Sequence, residues 1–204
     1  MLAPLAWAQD KPADDPAKTP PAIGQEAPAF ELADLAGNTH RLSDYRGKIV
    51  VLHFQSRVCP WDRAYQPHLN QLARKHEERA QAAKAQGQEA VEVVFLAINA
   101  NRTESVEELQ SYHEEVGMPY PILKDEGNKV ADLYAARTTP HMFVIDAEGI
   151  LRYKGGVEKP PVGIDDVYHM DEQYLEPAIE AVIQGAEPPF VATRSKGCMI
   201  QRVR

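Results

Sequence analysis

Ile49-Val50-Val51-Leu52-His53-Phe54 narrows the choice of folds more than any other segment, because it is a continuous and largely β-branched apolar run. A strand wet on one face alternates apolar with polar residues; a run that does not alternate is buried on both faces, as in a sheet flanked by helices. The run therefore predicts the central strand of a layered α/β fold. Cys59-Pro60 follows and opens a stretch to about Ala85, with Tyr65, Leu69 and Leu72 at helical spacing and a second half rich in Ala, Gln, Lys and Arg. This reads as one long helix, kinked by Pro67.

The remaining pattern supports the same class. Residues 30–33 and 39–42 alternate around Gly37 and predict a β-hairpin. Residues 91–98 predict a second buried strand, and residues 101–116 a helix capped by Asn101 or Thr103, with Glu104, Glu107 and Glu108 near its positive end and Gly117 at its close. A short helix over 125–134 is expected next, then strands over 141–146 and 150–153 about the Ala147-Glu148-Gly149 turn, and a last helix over 170–184. Strands alternating with helices and closing on a hairpin predict a mixed central β-sheet flanked by helices.

With 204 residues and 44% hydrophobic content, one domain with a sizeable core is expected. We place it at residues 28–184, between a leader over 1–27 and a tail over 185–204. A formal net charge of -8, with Lys and Arg scattered, argues against nucleic acid as a partner. No apolar run reaches the ~20 residues of a membrane span. Residues 1–8, ending Ala6-Trp7-Ala8, resemble the end of a secretory signal with its A-x-A cleavage site, which predicts a periplasmic or otherwise exported protein. The Pro-rich residues 10–28 read as a disordered tether.

Cys59 carries the chemistry. It precedes the long helix, with Pro60 at the first helical position, where a missing N–H costs nothing. A sulfur there meets free backbone N–H groups and the positive end of the helix dipole, which favours its thiolate. Arg57 and Arg63 add positive charge, whereas Asp62 opposes it. The alternative is an inert buried cysteine.

The hairpin ending Leu42-Ser43-Asp44-Tyr45-Arg46-Gly47-Lys48, the strand, the cysteine, and Thr139-Pro140 before a strand together resemble the redoxin, AhpC/TSA (peroxiredoxin-like) branch of the thioredoxin superfamily. The resemblance covers nearly all of residues 27–204 and implies a thioredoxin fold. Pro67 is similar to the helix-kinking proline of thioredoxins, and Pro140 to the cis-proline beside the active sulfur. The resemblance implies that Thr139 presents its backbone to an incoming polypeptide. This chain also departs from its relatives. Asp62 stands where a Cys-x-x-Cys motif has its second cysteine, so no disulfide forms within the motif. Of the peroxiredoxin pattern it keeps Ser56, three residues before Cys59, but has Leu52 in place of the proline, and Arg137 is near in sequence to the arginine those enzymes use.

Cys198, in a Gly-Cys-x-Ile tail that many redoxin-like proteins share, is the other cysteine. Two roles compete for it: a resolving thiol that attacks oxidised Cys59, or half of a structural disulfide closing a loop above ~100 residues. The function expected is thiol–disulfide exchange with protein thiols or disulfides, with Cys59 as nucleophile, Ser56 orienting it, Cys198 resolving and an external thiol reductant regenerating it. The alternatives are peroxide reduction and a non-catalytic binding module, either a copper carrier using Cys59 and His141 or a redox-dead scaffold. The seven histidines are dispersed without ligand spacing, so no metal or cofactor is expected. Trp61 reads either as an apolar lip over the sulfur, binding substrate, or as helix packing.

Overall fold

The computed structural model describes residues 20–167 and 172–203. In chain order its elements are β1 (Glu31–Ala33), β2 (Thr39–Arg41), β3 (Ile49–Phe54), α1 (Pro60–Ala85), β4 (Val93–Asn99), α2 (Val106–Glu115), β5 (Ile122–Lys124), α3 (Lys129–Leu133), β6 (Thr138–Thr139), β7 (His141–Ile145), β8 (Leu151–Gly155), α4 (Leu175–Ile183) and β9 (Cys198–Met199). The main sheet has the order β5-β4-β3-β7-β8, so β3 is central. Its pairing is parallel with β4 and antiparallel with β7, giving the mixed sheet expected.

Each face of β3 feeds a different core. Ile49 and Val51 pack with Tyr65, Leu69 and Leu72 of α1 and with Leu109, Ala178 and Ile179 of α2 and α4. Val50, Leu52 and Phe54 pack on the other side with Phe30, Val130 and Tyr134. Burying each of these side chains contributes ~1.5–3 kcal/mol, which is why no position on β3 alternates. His53 is the polar exception, and it is fully buried.

Several boundaries move for local reasons. The cap of α2 is Ser105, not Asn101 or Thr103: Glu108 N–H donates to Ser105 Oγ at 3.3 Å, and Ser105 N–H donates to the Glu108 carboxylate at 2.9 Å. This Ser-x-x-Glu box satisfies two otherwise free backbone donors reciprocally. Asn101 and Thr103 instead face residue 201 of the tail. The 125–134 helix shortens to α3, because Asp125 accepts from Ala131 N–H and Asn128 turns left-handed at φ 57°. α4 begins at Leu175, and the expected residues 170 and 171 lie outside the described residues. So do His169, the signal-like residues 1–8 and most of the leader.

Contacts begin earlier than the hairpin. Gly24 N–H donates to Leu151 O at 2.8 Å, and Leu151 N–H donates to Gln25 O at 2.9 Å, so this segment lies along β8. Backbone addition to a sheet edge needs no apolar side chains, so a Pro-rich composition conceals it. Among the described residues no helix is long and apolar enough to cross a membrane.

Candidate active site

Cys59 is the N-cap of α1, in extended conformation, with Pro60 at the first helical position. The sulfur therefore sits at the positive end of a 26-residue helix. Cys59 is fully buried. Its S–H donates to the Thr139 carbonyl at 2.9 Å, and the Cys198 N–H donates to its sulfur at 3.4 Å. Thr139-Pro140 is a cis peptide bond, as expected. What brings Cys198 across 139 positions is β9, which pairs antiparallel with β6 so that Cys198 faces Thr139.

The two thiols are not equivalent. Burial pushes the Cys198 thiol up to about 12, helped by its hydrogen bond to Cys59, the charge of Cys59 and then that of Asp62. Cys198 thus stays protonated beside its partner.

The loop before Cys59 is held from two sides by buried carboxylates. On one side Asp62 accepts from Ser56 N–H and from His53 Nε2 at 2.7 Å, both residues of this His–Asp pair being buried. On the other, Glu104 accepts from Ser56 Oγ at 2.5 Å, Arg57 N–H at 2.8 Å and Asn99 Nδ2 at 3.1 Å. Lys124 Nζ donates to Asn99 Oδ1 and to the Glu104 carbonyl, each at 2.8 Å.

The other expected site residues take up contacts of their own around this loop. Asp62, expected to oppose charge on Cys59, is turned to His53 and the Ser56 amide, and its charge bears on Cys198. Ser56 gives its hydroxyl proton to Glu104; it meets Cys59 through the backbone, accepting the Cys59 N–H on its carbonyl at 3.3 Å. Arg57 and Arg63 are ion-paired with Glu108 and Glu115, so their charges are partly spent elsewhere. Arg137 offers its carbonyl to Ile200 N–H at 2.9 Å. His141 lies against Phe143, and burial, with Lys154 and Arg137 nearby, pushes its pKa down to about 4. Trp61 packs on the core and takes the Lys196 ammonium over its ring at 4.3 Å, so it anchors the tail. Among the described residues no group of three His, Cys, Asp or Glu could hold a metal ion.

His53 and Glu104 were not singled out as site residues. His53 sits six residues before Cys59 in an apolar strand, and a histidine that interrupts such a run needs a buried partner; that was the available signal. Glu104 reads as an ordinary helix-terminus acid, and nothing local shows that it reaches back to Ser56.

A family model described as the AhpC/TSA family matches residues 23–154, a span that includes Cys59 and Thr139-Pro140 but stops short of Cys198. The chain is 36% identical over 132 residues to the thiol-disulfide oxidoreductase ResA of Geobacillus kaustophilus (strain HTA426), covering 65% of this chain and 68% of that protein. Among solved structures, an uncharacterized conserved protein from Geobacillus kaustophilus superposes with a TM-score of 0.72 at 27% identity, covering 88% of this chain and 92% of that one. The thioredoxin domain of a thiol-disulfide oxidoreductase from Bacteroides vulgatus superposes with a TM-score of 0.51 at 25% identity, covering 72% and 94%. The fold is that of thioredoxin.

Proposed function

Since the chain belongs to the AhpC/TSA family, we propose that it is a thiol–disulfide oxidoreductase in which Cys59 attacks and Cys198 resolves. The observation that carries this reading is the meeting of the two sulfurs at the start of α1, with Cys198 held protonated by burial and by its hydrogen bond to Cys59.

The Cys59 thiolate attacks one sulfur of a substrate disulfide, forming a mixed disulfide and expelling the other substrate sulfur as a thiolate. That step removes the charge on Cys59 which raised the Cys198 pKa, so Cys198 becomes easier to deprotonate when its turn comes. The Cys198 thiolate then attacks Cys59, the second substrate thiol leaves, and a Cys59–Cys198 disulfide remains. An external dithiol reduces that bond and is itself oxidised. Thr139 and Pro140 form the wall beside the sulfur, and Trp61 with Lys196 holds the tail within reach. Export is part of this proposal, supported by the Ala6-Trp7-Ala8 pattern.

Reduction of insulin disulfides by dithiothreitol, followed with wild type, Cys59→Ser and Cys198→Ser, tests the reading. Cys59→Ser should abolish catalysis, and Cys198→Ser should accumulate a mixed disulfide visible by mass spectrometry. Full activity of Cys59→Ser refutes the proposal; turnover of hydrogen peroxide well above that of insulin shifts it to peroxide reduction.

A further inference from the structure

Two buried polar atoms that thiol exchange does not use belong to the walls of one cavity. Among the described residues Gln66 Oε1 and Tyr112 Oη have no hydrogen-bond partner, although the two residues are only 2% and 3% exposed. Both line a cavity of about 450 Å³ between α1 and α2. Buried polar groups are almost always paired, so an acceptor and a donor left open at one cavity call for an occupant. The volume is that of a small-molecule site, which runs from ~300 to ~1,000 Å³.

Gln66 Nε2 donates to Asn70 Oδ1 at 2.7 Å and to Tyr120 Oη at 3.0 Å, which fixes the amide and leaves Oε1 to accept. Asn70 Nδ2 donates to Val116 O at 2.8 Å and Arg74 Nη2 to Gly117 O at 2.6 Å, so α1 and the end of α2 are tied together. Arg74 is exposed and keeps further guanidinium N–H groups for a ligand. Both signs of charge stand at the rim. Arg63 lies 5.3 Å from the centre of the Tyr112 ring and pairs with Glu115 at 3.0 Å, and Val116 is the C-cap of α2, the negative end of that helix. A simple anion is drawn to the arginines but opposed by Glu115 and the helix end; a simple cation meets the reverse.

We infer that this cavity binds a free α-amino acid with an apolar side chain. Its carboxylate accepts from Arg74 and from Tyr112 Oη, its ammonium donates to Gln66 Oε1, and its side chain lies against Pro67 and Val116. A zwitterion answers both signs at the rim, where a single charge answers one. No step of this involves either sulfur, so the site stands or falls separately from thiol exchange.

Isothermal titration calorimetry of the full-length protein with L-leucine, N-acetyl-L-leucine and L-leucinamide tests this. The two analogues keep the side chain and remove in turn the positive and the negative charge. L-Leucine should bind saturably, and each analogue at least about tenfold more weakly. Arg74→Gln, at an exposed position, should weaken L-leucine by at least about tenfold as well. Because its hydroxyl has no partner in the free protein, Tyr112→Phe should melt no lower than wild type, while its gain in Tm with L-leucine shrinks. The absence of saturable heat with L-leucine overturns the inference. Equal affinity for L-leucine and either analogue also does, since a single charge would then suffice. So does a Tyr112→Phe protein that melts lower without ligand, because its hydroxyl would already be satisfied within the fold.

Discussion

Glu104 and Ser56, 48 residues apart in the chain, share a 2.5 Å hydrogen bond in which the buried carboxylate accepts the hydroxyl proton. That bond, with the one from Arg57 N–H, ties the segment before Cys59 to the start of α2. Glu104→Ala leaves Ser56, Arg57 N–H and Asn99 without their acceptor, and each stranded polar group costs about 1–3 kcal/mol. The expected outcome is a lower urea midpoint and a roughly tenfold fall in kcat/KM, equivalent to about 1.4 kcal/mol of transition-state stabilisation. Glu104→Gln should recover most of both, because the Ser56 hydroxyl can turn to accept from the new amide. Equal damage by the two variants would show that shape, not hydrogen bonding, is at stake.

The His53–Asp62 pair predicts a stability effect of its own. Both side chains are buried, and Asp62 also takes the Ser56 N–H. Asp62→Ala strands the buried His53 ring and the Ser56 N–H, and each stranded polar group costs about 1–3 kcal/mol. Asp62→Asn keeps an oxygen for one of the two donors and should lose less. Chemical denaturation of both variants and of His53→Leu/Asp62→Ala reads the coupling; simple additivity of the two sites would contradict it.

Alkylation rates give a direct view of Cys198. Its pKa of about 12 owes part of its rise to Cys59. In Cys59→Ser that hydrogen bond to sulfur and that charge are gone, so the pKa falls and the thiolate fraction at pH 8 rises, about tenfold for each unit of fall. Iodoacetamide, followed by peptide mass mapping, should therefore label Cys198 faster in Cys59→Ser than in the reduced wild type. An unchanged rate would mean that burial alone holds the proton.

Acid should weaken the fold through its histidines. His141 is pushed down to about 4, and burial also lowers His68 and His76 from 6.5. Above pH 6.5 these rings are neutral in both folded and unfolded chains. Between pH 6.5 and 4 the unfolded chain binds the His141 proton and the folded chain does not, so stability drops as pH falls, by up to roughly 3 kcal/mol for this residue. Unfolding free energies at pH 7 and pH 4.5 should differ less in His141→Gln than in wild type. A pH dependence identical to that of wild type would remove His141 from this account.

What could be read from the chain and what could not divides by distance. The bounds of β3 and α1 follow from runs of local pattern, and both match the structure at each end. The hairpin and the cis-proline were equally legible, one from alternation and the other from a motif. β6 and β9 were not: each is two residues long, and each exists only because the other lies beside it. Periodicity cannot register a strand no longer than one period of its own alternation. Asp62 shows a subtler limit, since its position predicted proximity to a sulfur correctly, but its hydrogen bonds depend on where His53 points. The cap of α2 was a misreading of local chemistry, because Ser105 and Glu108 stand in the chain for anyone to see.

The outer margin of β8 is taken twice over by its own chain: near Leu151 by Gly24 and Gln25, and at Lys154 by Val191 and Thr193. At the opposite margin β5 is three residues long, and Leu123 is already bridged by Asp34. An exposed ladder is what lets one molecule template another into cross-β aggregates. With both margins of the main sheet occupied by the chain's own segments, one copy is kept from templating the next.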